Sequence, residues 1–181
     1  MPDRIPIHVT HLFRPLDEKL IALLKSLSPE EWQTQTVAKL WKVKDVAAHL
    51  LDGNLRLLSM QRDQYFGEPS ITIDSYQTLV DWLNQLNADW VKANKRISPS
   101  VMIMLHEVSG KQACDYYESV DLEAPAIFPV SWAGENESKN WFHIAREYME
   151  KWLHQQQIRD AINKEGILNE EFYTPFLETA M

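Results

Sequence analysis

The spacing of apolar residues constrains the fold of this chain most, because they recur at intervals of three and four in several long stretches. Signals for β-strands are few, and the chain holds only five glycines. Long helices joined by short breaks are typical of domains in which helices pack on helices. We therefore predict an all-α helical bundle.

The predicted helices share helical periodicity and recognisable starts or stops. They cover residues 11–27, from Lys44 or Asp45 to 65, from a cap at Asp74 or Ser75 to 97, 101–119 (as a separate helix or as the kinked continuation of the third), and from a cap at Ser138 or Asn140 to about 164–166, with Gly166 as the residue after the helix. On the fourth stretch we expect Leu105, Val108, Ala113 and Tyr116 to face inward. The aromatic tail, 169–181, is expected to pack back onto the body.

Residues 120–139 hold two prolines and a glycine and lack a helical period, so we predict a long loop before the last long helix. Long loops inside compact domains are often functional. Phe128, Trp132 and Glu135 suggest a lid over a pocket, although aromatic loops more often cover a core.

The size and charge of the chain narrow its class. With 181 residues, we expect 1–181 to form a single domain. The net charge is −8 and no basic run stands out, so nucleic acid is not an expected partner. No segment has the length of a membrane span and the first residues do not form a signal peptide, so we expect a cytoplasmic protein without a membrane partner. The one cysteine, Cys114, excludes an internal disulfide, and we expect it to be a small buried residue.

Glu150 and His154 lie four residues apart in the last long helix, so their side chains project from the same face one turn apart. His49 lies in the apolar stripe of the second helix and is expected to point inward. Two histidines and a glutamate are the ligands of catalytic zinc sites that keep a fourth position open. These three residues are our candidate metal ligands.

A simpler interpretation stays open. An acid and a histidine at this spacing often form only an exposed polar pair, and a histidine in an apolar stripe is more often bonded to a backbone carbonyl. Apolar residues including Tyr148 and Trp152 lie on the helix face opposite Glu150. In this interpretation that apolar face is the core side, and the face with Glu150 is solvated.

Asp45 and Gln157 are candidates to accept the free N–H of a ligating imidazole. Their alternatives are a helix cap for Asp45 and a surface amide for Gln157. We interpret His106 and His143 as surface residues or as supports behind the ligands, with Glu147 as partner of His143. His8 and His11 are expected to be solvated.

Two motifs together resemble a known family. Trp41-x-Val43-x-Asp45-Val46-Ala47-Ala48-His49-Leu50, followed far downstream by Glu150-x-x-x-His154-x-x-Gln157-Ile158, resembles the DinB-like superfamily over about residues 10–165. Within that superfamily the chain is most similar to the N-terminal domain of mycothiol-dependent maleylpyruvate isomerases, because it has glutamate at position 150, where many other members have histidine. The resemblance implies a four-helix bundle of up-down-down-up connectivity, with His49, Glu150 and His154 as metal ligands. These isomerases also carry a C-terminal domain that we expect this chain to lack.

The resemblance and the ligand set imply a divalent-metal enzyme, with zinc as the first expectation and nickel or another transition metal as alternatives. Such a metal can activate a bound water or a low-molecular-weight thiol for transfer, isomerisation or hydrolysis on a small molecule. The alternative is a non-catalytic bundle, an interaction or stress protein with a structural or vestigial metal site. A homodimer is expected from the family.

Overall fold

The computed structural model describes residues 6–67, 75–128 and 137–181. Within these ranges there are six α-helices and no β-strand, only the isolated bridges Gln35 with Lys42 and Pro125 with Lys139. The helices are α1 (Phe13–Lys25), α2 (Val43–Arg56), α3 (Tyr76–Asn94), α4 (Pro99–Ser119), α5 (Asn140–Ala161) and α6 (Glu170–Ala180). The all-α class is confirmed, and the up-down-down-up order stays a prediction.

Capping residues determine where α3 and α4 begin. Ser75 Oγ accepts a hydrogen bond from Thr78 N at 3.1 Å, and Ser98 Oγ accepts one from Val101 N at 3.3 Å. Pro99 lies in the first turn of α4, where backbone N–H groups have no partner within the helix, so its lack of an N–H costs no hydrogen bond. Of the two alternatives for residues 101–119, the separate helix is therefore the correct one, and it begins at Pro99.

Two short 3-10 turns and one π-helical segment accompany the α-helices. A 3-10 turn, Thr10–Leu12, precedes α1, and another at Glu31–Gln33 carries Trp32. After Arg56, α2 continues as a π-helical segment, Leu57–Arg62, close to the end predicted from the sequence.

The inward face of α4 differs from our prediction. Ala113 is buried, but Val108 is 58% exposed. The face that packs against α1 and α2 is formed by Met102, His106, Ser109, Gly110, Ala113, Cys114 and Tyr117. Polar and small residues occupy this face, so hydrophobic periodicity placed it incorrectly.

The end of α5 is a Schellman motif. Lys164 N donates to Arg159 O at 2.9 Å and Asn163 N donates to Asp160 O at 3.4 Å. Asn163 has a φ of 52°, a left-handed conformation that asparagine tolerates better than most residues. The residue after the helix is therefore Asn163, and the prediction of Gly166 in that position was wrong.

The core joins the long helices and the tail. One cluster is centred on Phe13, Tyr117 and Tyr148, and a second on Val46, Leu51, Met102 and Ile158. The tail forms α6, which packs on α5 as predicted: Trp152 Nε1 donates to Ile167 O at 3.0 Å, and its ring lies 4.3 Å from that of Phe176. None of the described helices has the length and apolar character that a bilayer span requires.

Candidate metal centre

Helix α2 carries His49 towards α5. The start of α2 is capped by Asp45, whose Oδ2 accepts from Lys42 N at 3.1 Å, and Lys95 Nζ lies 2.8 Å from Asp45 Oδ1. None of these hydrogen bonds involves His49: Asp45 caps α2 from its third position, and the N-cap, which was the alternative for Asp45, is Lys42. Val46 and Leu50 on the flanking turns are buried, and the packing of α2 against α5 leaves the imidazole of His49 partly buried at the helix interface.

Helix α5 is oriented by its core face. Ile144, Tyr148 and Trp152, on the apolar face opposite Glu150, are buried. The opposite face is partly covered, because the side chain of His154 is only 14% exposed whereas that of Glu150 is 50% exposed. Glu150 therefore lies at the solvent edge of the site and His154 lies inside it.

The structure brings His49, Glu150 and His154 together. One ligand atom of each residue lies within 4.8 Å of the others. The two imidazole rings are 4.6 Å apart, edge to face, and Glu150 Oε2 lies 3.3 Å from His154 Nε2. Two donors that each bind a tetrahedral zinc at about 2.0 Å lie roughly 3.3 Å apart. The separation of Glu150 and His154 matches this spacing, and all three donors are types that bind zinc.

His154 is held by a second contact within α5. Its Nδ1 lies 3.0 Å from Gln157 Oε1, which requires the ring to donate from Nδ1. In the neutral ring, Nε2 then carries the lone pair and faces the carboxylate of Glu150. Two acceptors at this distance favour a proton or a metal ion between them, so the geometry suits a cation.

Burial and neighbouring charges affect the titration of the site. Burial, together with the nearby His154 and Arg56, lowers the pKa of His49 from 6.5 to about 3. The Nδ1 atom of His49 is buried and has no hydrogen-bond partner among the described residues. A hydrogen bond from Nε2 of His154, which the ring can donate when both of its nitrogens are protonated, holds the pKa of Glu150 below its ordinary value. At neutral pH the site thus contains a neutral imidazole and a carboxylate, which are the ligand forms of both groups.

Trp41 is a part of the site to which the sequence analysis assigned no role. Its ring lies 4.9 Å from the ring of His49 and 6.2 Å from that of His154. It precedes α2 in a turn, so helical periodicity could not place it. Its position in the motif that carried the family resemblance was the available signal.

The remaining histidines are outside the site. His106 is fully buried and its Nε2 bonds to Ala47 O at 2.9 Å, so the prediction of a surface or supporting residue was wrong. His143 Nε2 lies 2.9 Å from Gln61 Nε2, whereas Tyr117 OH donates to Glu147, the expected partner of His143. His8 and His11 are exposed, as predicted.

Two further predictions concerned Cys114 and the loop at residues 120–139. Cys114 is buried, and burial raises the pKa of its thiol to about 12. It is therefore the small inert core residue that we predicted. In the loop, Phe128 contacts Phe66, with ring centres 6.0 Å apart. Trp132 and Glu135 lie outside the described residues, so the lid stays a prediction.

Comparison with known proteins supports the fold and gives the family. Two solved structures are similar to this chain. A point mutant of the mycothiol-dependent maleylpyruvate isomerase matches with a TM-score of 0.64 and 12% identity over 94% of this chain. The mycothiol-dependent maleylpyruvate isomerase matches with a TM-score of 0.57 and 13% identity over 82% of this chain. This chain spans 65% and 58% of the length of those chains. No curated protein matches the sequence.

The family model described as mycothiol maleylpyruvate isomerase N-terminal domain matches residues 13–159. This range contains His49, Glu150 and His154, and the match confirms the resemblance found in the sequence. The chain belongs to the mycothiol maleylpyruvate isomerase N-terminal domain family.

Proposed function

We propose that His49, Glu150 and His154 bind one divalent transition metal, with zinc as the first expectation and nickel as an alternative. The observation that supports this most is the convergence of three ligand atoms from two helices within 4.8 Å. His49 is 101 residues before Glu150 in the sequence, so only the packing of α2 against α5 brings it to the other two ligands. A tetrahedral ion with three protein ligands keeps one position for an exogenous molecule.

A metal in this position would lower the pKa of a bound water or thiol, so that the molecule reacts as its anion. The protein residues would orient the site. Gln157 holds the ring of His154, Trp41 covers the two imidazoles, and the half-exposed Glu150 lies where a small molecule can enter.

We propose that the exogenous molecule is a small thiol and that the reaction is its transfer to, or its use in isomerising, an electrophilic small molecule. The family description and both similar structures name mycothiol, which supports a thiol over water. Hydrolysis, with water in place of the thiol, is the enzymatic alternative. Because this chain spans about two thirds or less of those structures, we do not propose maleylpyruvate itself as the substrate.

The first experiment measures the metal content of purified protein by mass spectrometry. We expect about one transition-metal ion per chain, lost in His49→Ala and Glu150→Gln and retained in His143→Ala, a half-buried histidine outside the site. Circular dichroism melts check that the variants fold. A metal-free wild type, or a metal retained in both ligand variants, would contradict the proposal.

The second experiment separates an enzyme from a non-catalytic bundle. Metal-loaded protein is tested for consumption of low-molecular-weight thiols in the presence of electrophilic substrates. Turnover that disappears in His49→Ala supports the enzyme. A stoichiometric metal without turnover of any thiol or ester would instead support a structural or vestigial site. The cytoplasmic location and the homodimer remain predictions.

A further inference from the structure

A cleft outside the candidate metal centre lies between α1 and the turn that follows α5. The cleft is open and has a volume of about 440 Å³, within the range of small-molecule sites. Its lining includes Lys19 and Ser26 from α1 and its end, Arg159 from α5, and residues 164–166 from the turn. None of these residues contributes to the candidate metal centre, which faces α2.

Arg159 places a positive charge in the wall of this cleft. The residue is only 6% exposed, and its guanidinium donates to Glu165 O at 2.7 Å and to Lys19 O at 3.2 Å. In residues 6–67, 75–128 and 137–181, no carboxylate oxygen lies within 4.0 Å of it. Buried charges are normally paired, so an unbalanced guanidinium favours an anion nearby.

Gly166 is required for this arrangement. Its φ is +152°, and a Cβ added there would lie 2.5 Å from Nη1 of Arg159. A larger residue would displace the guanidinium from its two carbonyl acceptors. The turn is therefore built to admit the arginine.

Two lysines add to the positive charge and are held by their own contacts. The ammonium of Lys19 lies 5.4 Å from the centre of the Phe172 ring, and Lys164 Nζ donates to Ser26 Oγ at 3.1 Å. Two acids oppose them: Glu31 lies 3.4 Å from Lys164 Nζ, and Glu165 lines the cleft. The cleft keeps an excess of positive charge in a chain whose net charge is −8.

We propose that this cleft binds an oxyanion group, a phosphate or a carboxylate, of a small molecule. Lys164 and Lys19 donate hydrogen bonds to the oxyanion, while the fixed charge of Arg159 makes the cleft electropositive. Charge-assisted hydrogen bonds of this kind are about twice as strong as neutral ones. Glu31 competes with the ligand for Lys164, so the affinity depends on that acid as well.

The test uses ¹⁵N-labelled full-length protein, treated with chelator and titrated with phosphate or succinate at constant ionic strength. We expect saturable amide shifts at Ser26 and Gly166, and the anion that saturates at the lower concentration identifies the ligand class. Lys164→Gln should weaken binding about fivefold, and Glu31→Gln should strengthen it about twofold. Lys92→Gln, an exposed lysine on α3, is the matched control and should change nothing.

The same titration in His49→Ala separates this site from the candidate metal centre. Unchanged binding supports a distinct cleft, whether or not a metal binds elsewhere. Shifts that do not saturate, an equal loss in Lys92→Gln, or binding that disappears in His49→Ala would each overturn the proposal.

Discussion

The amide oxygen of Gln157 lies 3.0 Å from Nδ1 of His154, less than one turn further along α5. This contact determines which nitrogen of the ring is free, because the nitrogen that donates to an oxygen cannot also ligate. Nε2 of His154 is thereby directed towards Glu150, where the metal is proposed. The sequence analysis offered Gln157 for this role, and the metal-dependent part of the role remains to be tested.

Replacing Gln157 with alanine removes the acceptor that orients His154. We expect the affinity for zinc to fall about 10- to 100-fold, as is usual when the partner of a ligating histidine is lost. Competition with a fluorescent zinc chelator measures the affinity. Gln85→Ala, an exposed glutamine on α3, should leave it unchanged. Equal affinities of Gln157→Ala and wild type would show that His154 needs no such support.

The helical class and the convergence of the site residues could be predicted from the sequence for different reasons. Apolar periodicity gave the helices, since each long helix buries one stripe. Periodicity also turned His49 inward. It could not show that α2 and α5 pack side by side, which brings His49 to Glu150 and His154. That step depended on the match of the three residues to a known set of zinc ligands and on the family resemblance.

The errors at His106 and on the inward face of α4 have a common physical cause, which is that polar residues can be buried when their hydrogen bonds are satisfied. His106 is fully buried because Ala47 O accepts from it, so hydrophobicity alone assigned it to the surface and rotated the predicted face of α4. Asp45 is likewise occupied by a helix start and a lysine. The end of α5 has a different cause: Asn163 is exposed, and its left-handed backbone ends the helix before Gly166.

Tyr148 on α5 forms a hydrogen bond to the backbone of α6. Its hydroxyl donates to Phe172 O at 2.8 Å in a buried position. Tyr148→Phe should lower the free energy of unfolding by about 1 kcal/mol, the usual net value of such a hydrogen bond. Tyr116→Phe is the control, since the hydroxyl of Tyr116 has no hydrogen bond to the described residues. Urea denaturation measures both, and an equal effect of the two changes would contradict a role for the hydroxyl.

Two glycines inside helices should respond to alanine in opposite directions. A Cβ added at Gly53 meets no atom within 4 Å, so Gly53→Ala should stabilise the protein by up to about 1 kcal/mol through helix propensity. A Cβ at Gly110 would lie 2.5 Å from the carboxylate oxygens of Asp17. Gly110→Ala should therefore destabilise the protein by about 1–2 kcal/mol, because the partly buried carboxylate of Asp17 must leave its position or the two helices must move apart.

Asp17→Ala provides the test of that cause. When Asp17 is alanine, no carboxylate lies next to the new methyl group of Gly110→Ala. The loss of stability caused by Gly110→Ala should therefore largely disappear. Thermal unfolding of the four proteins gives the coupling between the two positions. If the cost of Gly110→Ala is the same with and without Asp17, the contact is not its origin.

His106 should make the protein less stable in acid. Burial lowers the pKa of His106 from 6.5 to about 4, although its bond to Ala47 O acts in the opposite direction. Between these pH values the unfolded chain binds a proton that the folded chain does not, so stability falls as the pH drops from 6.5 to 4, by about 3 kcal/mol in total. Above pH 6.5 both states are neutral and the residue contributes no pH dependence.

His106→Gln isolates this contribution, because the amide can still donate to Ala47 O but does not titrate. We expect its stability, measured by urea denaturation of chelator-treated protein, to fall less steeply than that of wild type between pH 6.5 and 4. His49 is unchanged in both proteins, so its own acid sensitivity, which arises from a pKa of about 3, cancels in the comparison. Parallel pH profiles would show that His106 takes up its proton in the folded state as readily as in the unfolded chain, which burial without a counter-charge should prevent.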